Sequence, residues 1–212
     1  RYAHPYVKIQ EEERELNVML AVDASRSNAF GSQGKFKNEI AAEICALLAF
    51  SAIKNNDKVG LLIFTDQVEK FIPPQKGKKQ ILLIIRELLA FEPKGKSTNL
   101  SIALEYLANT IKKRATVFIM SDFLSEDYTK ALRVSAYKHD ISALFVYDNL
   151  ETTLPKIGII NAFDPETGET RWIDTSSKKQ RAIYENFWIE HCKKNTELLN
   201  RSNVDFILLS TD

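Results

Sequence analysis

The strongest constraint on this chain is a rhythm of short apolar runs separated by amphipathic stretches between residues 16 and 147. The runs cover residues 16–22, 58–64, 115–120 and 141–147. A short run without polar alternation reads as a strand buried on both faces, the habit of a parallel sheet beneath helices. The stretches between them, 35–55, 77–91, 100–112 and 126–139, carry apolar residues at helical spacing, with Phe36, Ile40, Ile44, Leu47 and Leu48 expected on the buried face of the first. Strand and helix in alternation predict βαβ units: an α/β, doubly wound, mostly parallel sheet with helices on both faces. One connection breaks the pattern. Residues 68–72 follow 58–64 across only Thr65-Asp66-Gln67, which reads as a hairpin. The third strand is therefore expected to be antiparallel and at an edge, closed by Pro73-Pro74.

Beyond residue 147 the pattern changes. Residues 157–174 read as a hairpin about Asp164–Glu169, 177–201 as a long amphipathic helix, and 204–209 as a last strand. Ile183, Tyr184, Phe187, Trp188, Cys192, Leu198 and Leu199 are expected on that helix's buried side. Trp172 and Trp188 are expected to pack in the hairpin and core. No internal repeat divides the chain, so a single domain over 1–212 is expected, with 1–15 as an extended lead-in. The first residue is Arg1 rather than Met, so a longer parent protein is expected.

Composition narrows the function. With 44% hydrophobic residues in 212, the chain can bury a core without disulfide staples. Lys and Arg number 29 against 28 Asp and Glu, a balance that argues against a nucleic-acid partner. Cys45 and Cys192 lie in helical patterns without metal-ligand spacing and read as free, buried thiols of a reducing, cytoplasmic compartment. No apolar run reaches the ~18 residues of a membrane helix. The three histidines are scattered, and His139 reads as a cation at a helix end.

The chemistry lies where the apolar runs stop. The first ends in Asp23-Ala24-Ser25-Arg26-Ser27, and the run 115–120 is followed by Ser121-Asp122. A turn-rich loop, Glu92 to Asn99, places Thr98 ahead of the helix that leads to that second acid. In open α/β sheets, ligands bind beyond the carboxyl ends of strands. Asp23, Ser25, Ser27, Thr98 and Asp122 can therefore converge at one rim. All are hard oxygen donors, suited to Mg²⁺, Mn²⁺ or Ca²⁺.

These positions resemble the von Willebrand factor A (vWA) fold. Its metal-ion-dependent adhesion site, MIDAS, has D-x-S-x-S, then a Thr on a loop, then an Asp after a strand. All five are filled here, although Lys96-Ser97 stand where many relatives have Gly-Gly. A closer resemblance, carried by His4-Pro5-Tyr6-Val7-Lys8, Glu11–Glu15 and Asp164–Glu169, is to an uncharacterised bacterial vWA-like family encoded beside MoxR-type AAA+ ATPases. The resemblance implies a non-enzymatic, metal-dependent module. In it Ser25, Ser27 and Thr98 touch the cation, Asp23 and Asp122 stand behind them, and a protein partner supplies a carboxylate. It also implies work with a MoxR-type ATPase in protein assembly or maturation.

Two rivals are weighed against it. A Mg²⁺-dependent phosphohydrolase would use Asp23 as nucleophile, but the second Asp it wants two residues later is Ser25. A metal-free interaction scaffold is the other. Gly31-Ser32-Gln33-Gly34-Lys35 fails the phosphate-loop spacing, and no G-x-S-x-G elbow marks a serine nucleophile.

Overall fold

The computed structural model describes residues 15–25, 37–95, 97–163 and 170–211. A six-stranded sheet forms its centre, built from β1 (Asn17–Asp23), β2 (Lys58–Phe64), β3 (Val68–Gln75), β4 (Thr116–Ser121), β5 (Asp140–Tyr147) and β8 (Asp205–Ser210). The strand order is β3-β2-β1-β4-β5-β8. Every neighbouring pair is parallel except β2 with β3. The α/β class, the mostly parallel sheet and the antiparallel edge strand are as expected from the sequence.

Helices cover both faces because side chains on successive strand residues point to opposite sides. Met19 and Ala21 of β1 join a core with α3 (Leu100–Thr110), α4 (Thr129–Lys138) and α6 (Lys178–Arg201). Val18, Leu20 and Val22 face α1 (Lys37–Lys54) and α2 (Lys78–Leu89) on the other side. A one-turn helix, α5 (Asn149–Thr152), follows β5. β6 (Ile159–Phe163) and β7 (Thr170–Asp174) form a separate antiparallel pair. The turn expected between them lies outside the described residues. Among the described residues no helix is long and apolar enough to cross a membrane.

Several expectations are corrected. Pro73 and Pro74 do not close the hairpin; they lie within β3, at the edge of the sheet and at a break in its register against β2 between Val59 and Leu61, where ladder donors are not needed. Leu47 of α1 is 72% exposed, whereas Ala41, Ala42, Cys45, Ala49 and Ala52 are buried. Small residues let that helix lie close to the sheet, so Ile40, Ile44 and Leu48 pack only at its flanks while Leu47 and Phe50 face outward; Phe36 lies outside the described residues. Cys45 is buried beside Met120, but Cys192 is only half-buried. On α6, Trp188 and Leu199 are buried while Ile183 and Phe187 are more than half exposed. Trp172 on β7 is 74% exposed, because its hairpin stands apart from the main sheet. His139 is not a solvated helix-end cation. It is buried, and burial pushes its pKa below the ordinary value, favouring the neutral ring.

Candidate functional site

The strand order turns at β1. The chain passes from β1 outward to β2 and β3, then returns to lay β4 on the other side of β1. Such a reversal leaves a crevice at the carboxyl ends of the two strands. Asp23 ends β1 and Asp122 directly follows β4. The register that pairs Val22 with Met120 brings these ends side by side.

Asp23 is the hub of this crevice, although it is only 3% exposed. Its Oδ1 accepts the Ser25 backbone N–H at 2.9 Å, and the Ser25 side chain bonds to the same carboxylate. Its Oδ2 accepts the Thr98 hydroxyl at 3.1 Å and the Ser121 hydroxyl at 2.6 Å. Burial raises its pKa to about 6, and the neighbouring Asp122 charge pushes the same way; the hydroxyl and backbone donors oppose them. Ionising Asp23 thus carries a cost in desolvation and repulsion.

Thr98 reaches Asp23 because the hairpin holds its loop. Glu69 Oε1 on β3 accepts the backbone N–H of Gly95 at 2.7 Å and of Lys94 at 3.1 Å. Thr65 Oγ1 donates to the same oxygen at 2.9 Å, and Thr65's carbonyl accepts the Asn99 N–H at 3.0 Å. Burial works to raise the Glu69 pKa, but the four hydrogen bonds it accepts outweigh that and lower it. A Cβ on Gly95 would lie 2.1 Å from Thr65 Oγ1 and from Asp66 Oδ1, so only glycine fits there. Asn99 then caps α3 by accepting the Ile102 N–H at 3.2 Å. The loop's tight point is Gly95, which explains how Thr98 is placed with Ser97 before it.

Asp122 is fully buried and turned by its own backbone. Phe123 has φ 55°, uncommon for a non-glycine residue. The cost is offset by its buried ring, which stacks on Phe145 with centroids 6.1 Å apart. The turn leaves Asp122 Oδ1 accepting the Leu124 N–H at 3.1 Å. His191 Nε2, from α6, lies 2.9 Å from the Asp122 carbonyl oxygen.

A cation of the chain's own completes the cluster. Lys37, at the start of α1, is fully buried. Its Nζ is 3.4 Å from Asp122 Oδ2 and 2.9 Å from Glu151 Oε1. Glu151 sits on α5, whose capping box with Asp148 fixes its orientation. Burial raises the Glu151 pKa, with Lys37 opposing.

Of the five residues singled out from sequence, Asp23, Ser25, Thr98 and Asp122 meet at one rim; Ser27 lies outside the described residues. Ser121, Lys37, Glu151 and His191 were not anticipated. Ser121 had a signal, since it stands between the apolar run and Asp122. Lys37 and Glu151 had none: one lysine and one glutamate at helix starts normally face water. Among the described residues no group of three or more His, Cys, Asp or Glu side chains is arranged to hold a metal. Any cation here would rely on hydroxyls as well as carboxylates. The donor set is compatible with a hard cation. Asp122 and Glu151 share the ammonium of Lys37, and the Asp23 carboxylate lies close enough to Asp122 to feel its charge, so carboxylates outnumber ammonium groups in the described cluster.

Comparison with known proteins agrees with this architecture. A family described as "Protein of unknown function DUF58" matches residues 1–194. The uncharacterized protein Mb1516 of Mycobacterium bovis is 28% identical over 174 residues, covering 81% of this chain. The chain spans 55% of that relative's length. Among solved structures, the conserved hypothetical protein BatB from Bacteroides thetaiotaomicron superposes with a TM-score of 0.64 at 15% identity, covering 93% of this chain and 91% of the other. The SpRpn10 VWA domain superposes at 0.51 with 11% identity, covering 94% and 90%. Proximal thread matrix protein 1 of the mussel byssus, in a form with a zinc-occupied MIDAS motif, superposes at 0.50 with 16% identity over 62% of this chain and 38% of that one. At these identities the likeness establishes a vWA-like fold.

Proposed function

This chain belongs to the DUF58 family of proteins of unknown function, and on that footing we propose that it is a MIDAS-type binding module rather than an enzyme. Ser25, Thr98, Asp23 and Asp122, with Ser27 by resemblance, would hold a divalent cation, Mg²⁺ in the first instance. The observation that carries this reading is the meeting of the Thr98 and Ser121 hydroxyls and Ser25 on the buried Asp23 carboxylate. Loops distant in sequence converge there on an anion whose burial is costly. The bound cation would supply a Lewis-acidic position for an external carboxylate.

The chain's own residues set the character of that position. Asp23 spends its oxygens on hydroxyl and backbone donors, which orients Ser25 and Thr98. With neutral hydroxyls in direct contact, a cation keeps much of its positive charge. An acidic side chain on a protein partner is then the favoured outside ligand, since hard cations prefer carboxylate oxygen. A MoxR-type AAA+ ATPase is the partner class that the sequence resemblance brings forward, with protein assembly or maturation as the process. The mussel protein's zinc-occupied MIDAS lends support, as an example of the motif loaded on a superposable fold.

The test is calorimetric titration of Mg²⁺ into the wild type and into a Ser25→Ala/Thr98→Ala double variant. Binding in the wild type and its loss in the folded double variant support the reading. Equal affinity in both overturns it. Capture of an acidic peptide that is abolished by a chelator would separate metal-bridged contact from a metal-free scaffold.

A further inference from the structure

We propose that Lys37 is a resident cation that weakens divalent-ion binding at this rim, and that Glu151 sets how strongly it does so by drawing the ammonium away from Asp122. This rests on the cation-binding reading above and concerns residues that the sequence motif does not include.

The geometry is specific. Lys37 is fully buried, and its Nζ lies closer to Glu151, at 2.9 Å, than to Asp122, at 3.4 Å. Two carboxylates therefore share one ammonium. A buried lysine without such partners would be costly, so its place is built rather than incidental. The pair is held from both sides. Lys37 opens α1, the helix that follows the D-x-S-x-S segment in sequence. Glu151 is fixed on α5 by the Asp148 capping box, and Asp148 Oδ2 accepts the Thr211 hydroxyl at 2.8 Å just past β8.

Asp122 has two oxygens, and both are engaged. Oδ1 accepts the Leu124 N–H and Oδ2 faces Lys37. A divalent cation arriving near Asp122 meets a like charge already there, and charges a few ångströms apart in a partly desolvated site interact strongly. The ammonium must then lean toward Glu151 for the metal to load. Glu151 offers the alternative seat, so its reach decides the cost of loading.

Three proteins decide the matter: the wild type, Lys37→Met and Glu151→Asp. The last keeps the charge but shortens the side chain, so that it no longer reaches Lys37. Mg²⁺ affinity is measured by calorimetry at neutral pH, with circular dichroism to verify folding. Lys37→Met is expected to bind Mg²⁺ about tenfold tighter, because the competing charge is gone. Glu151→Asp is expected to bind several-fold weaker, because the ammonium falls back on Asp122. Unchanged or weaker binding in folded Lys37→Met overturns the proposal. Should Lys37→Met not fold, Glu151→Asp decides alone, and unchanged or tighter binding there overturns it. A wild type that binds no Mg²⁺ overturns the cation-binding reading itself, whereas a binding wild type with unaltered variants overturns only the role of Lys37.

Discussion

The two ends of β1 carry the same kinds of side chain and treat them in opposite ways. At the amino end, Glu15 pairs with Lys58 at 3.2 Å and with Lys76, all well exposed to water. Its pKa is lowered by hydrogen bonds to Lys76 and Lys58. At the carboxyl end, Asp23, Asp122 and Lys37 are buried within hydrogen bonds. There burial raises the Asp23 pKa. The first arrangement is charge in solvent, worth little to the fold. The second is charge held out of solvent at a cost in desolvation, an arrangement that marks candidate sites more often than surface pairs do. The contrast separates surface pairs from a candidate site within one strand.

The sharpest way to break this comparison is to remove one lysine from each end. Lys37→Met is expected to cost about 3–5 kcal/mol in chelator, since it strands two buried carboxylates. Lys58→Met should leave the denaturation midpoint nearly where it was, because its partner is exposed. Equal effects in urea titrations would erase the distinction. Next in size is Gly95→Ala, which would drive a methyl into Thr65 and Asp66. It is expected to cost about 1–3 kcal/mol and to weaken Mg²⁺ binding by displacing Thr98. A stability loss with intact Mg²⁺ affinity would detach the loop from the site.

A smaller effect concerns a buried base away from both ends. His139 has its pKa lowered by burial, so the unfolded chain binds more protons than the native one below the ordinary histidine value of 6.5. Stability should therefore fall as pH drops below about 6.5, and His139→Gln should flatten that part of the profile. Melting curves between pH 5 and 8, in about that range, are the check; an unaltered profile in the variant would show another group responsible. Smallest of all is Glu15→Gln, expected to leave the melting temperature unresolved from wild type.

The legibility of the molecule follows the same division. β1, β2, β4 and β5 were readable because strands buried on both faces require unbroken apolar runs, and the antiparallel β3 was readable from the three-residue turn at Thr65-Asp66-Gln67. Asp23, Ser25 and Asp122 were readable because strand ends in a doubly wound sheet meet at a rim, and Thr98 because its turn-rich loop leads into the helix before the strand that Asp122 follows. Side chains whose environment depends on distant elements were not. Leu47 has the spacing of a core residue, but the alanines beside it bring α1 too close to the sheet for it to turn inward. His139 lies at the end of a helix, yet the elements around it bury it. Lys37 and Glu151 are far apart in sequence, and nothing local marks a lysine whose partners are an acid after β4 and an acid on α5. Tertiary placement gives such residues their role, and local pattern carries no trace of it.

The central claim is that the crevice between β1 and β4 holds a hard divalent cation. The most direct measurement is anomalous diffraction from crystals grown with Mn²⁺. The account predicts an anomalous peak at bonding distance from the Ser25 and Thr98 hydroxyls, beside Asp23 and Asp122, that vanishes in the Ser25→Ala/Thr98→Ala variant. A peak elsewhere on the chain with none in this crevice, at Mn²⁺ concentrations that saturate binding in solution, would contradict it.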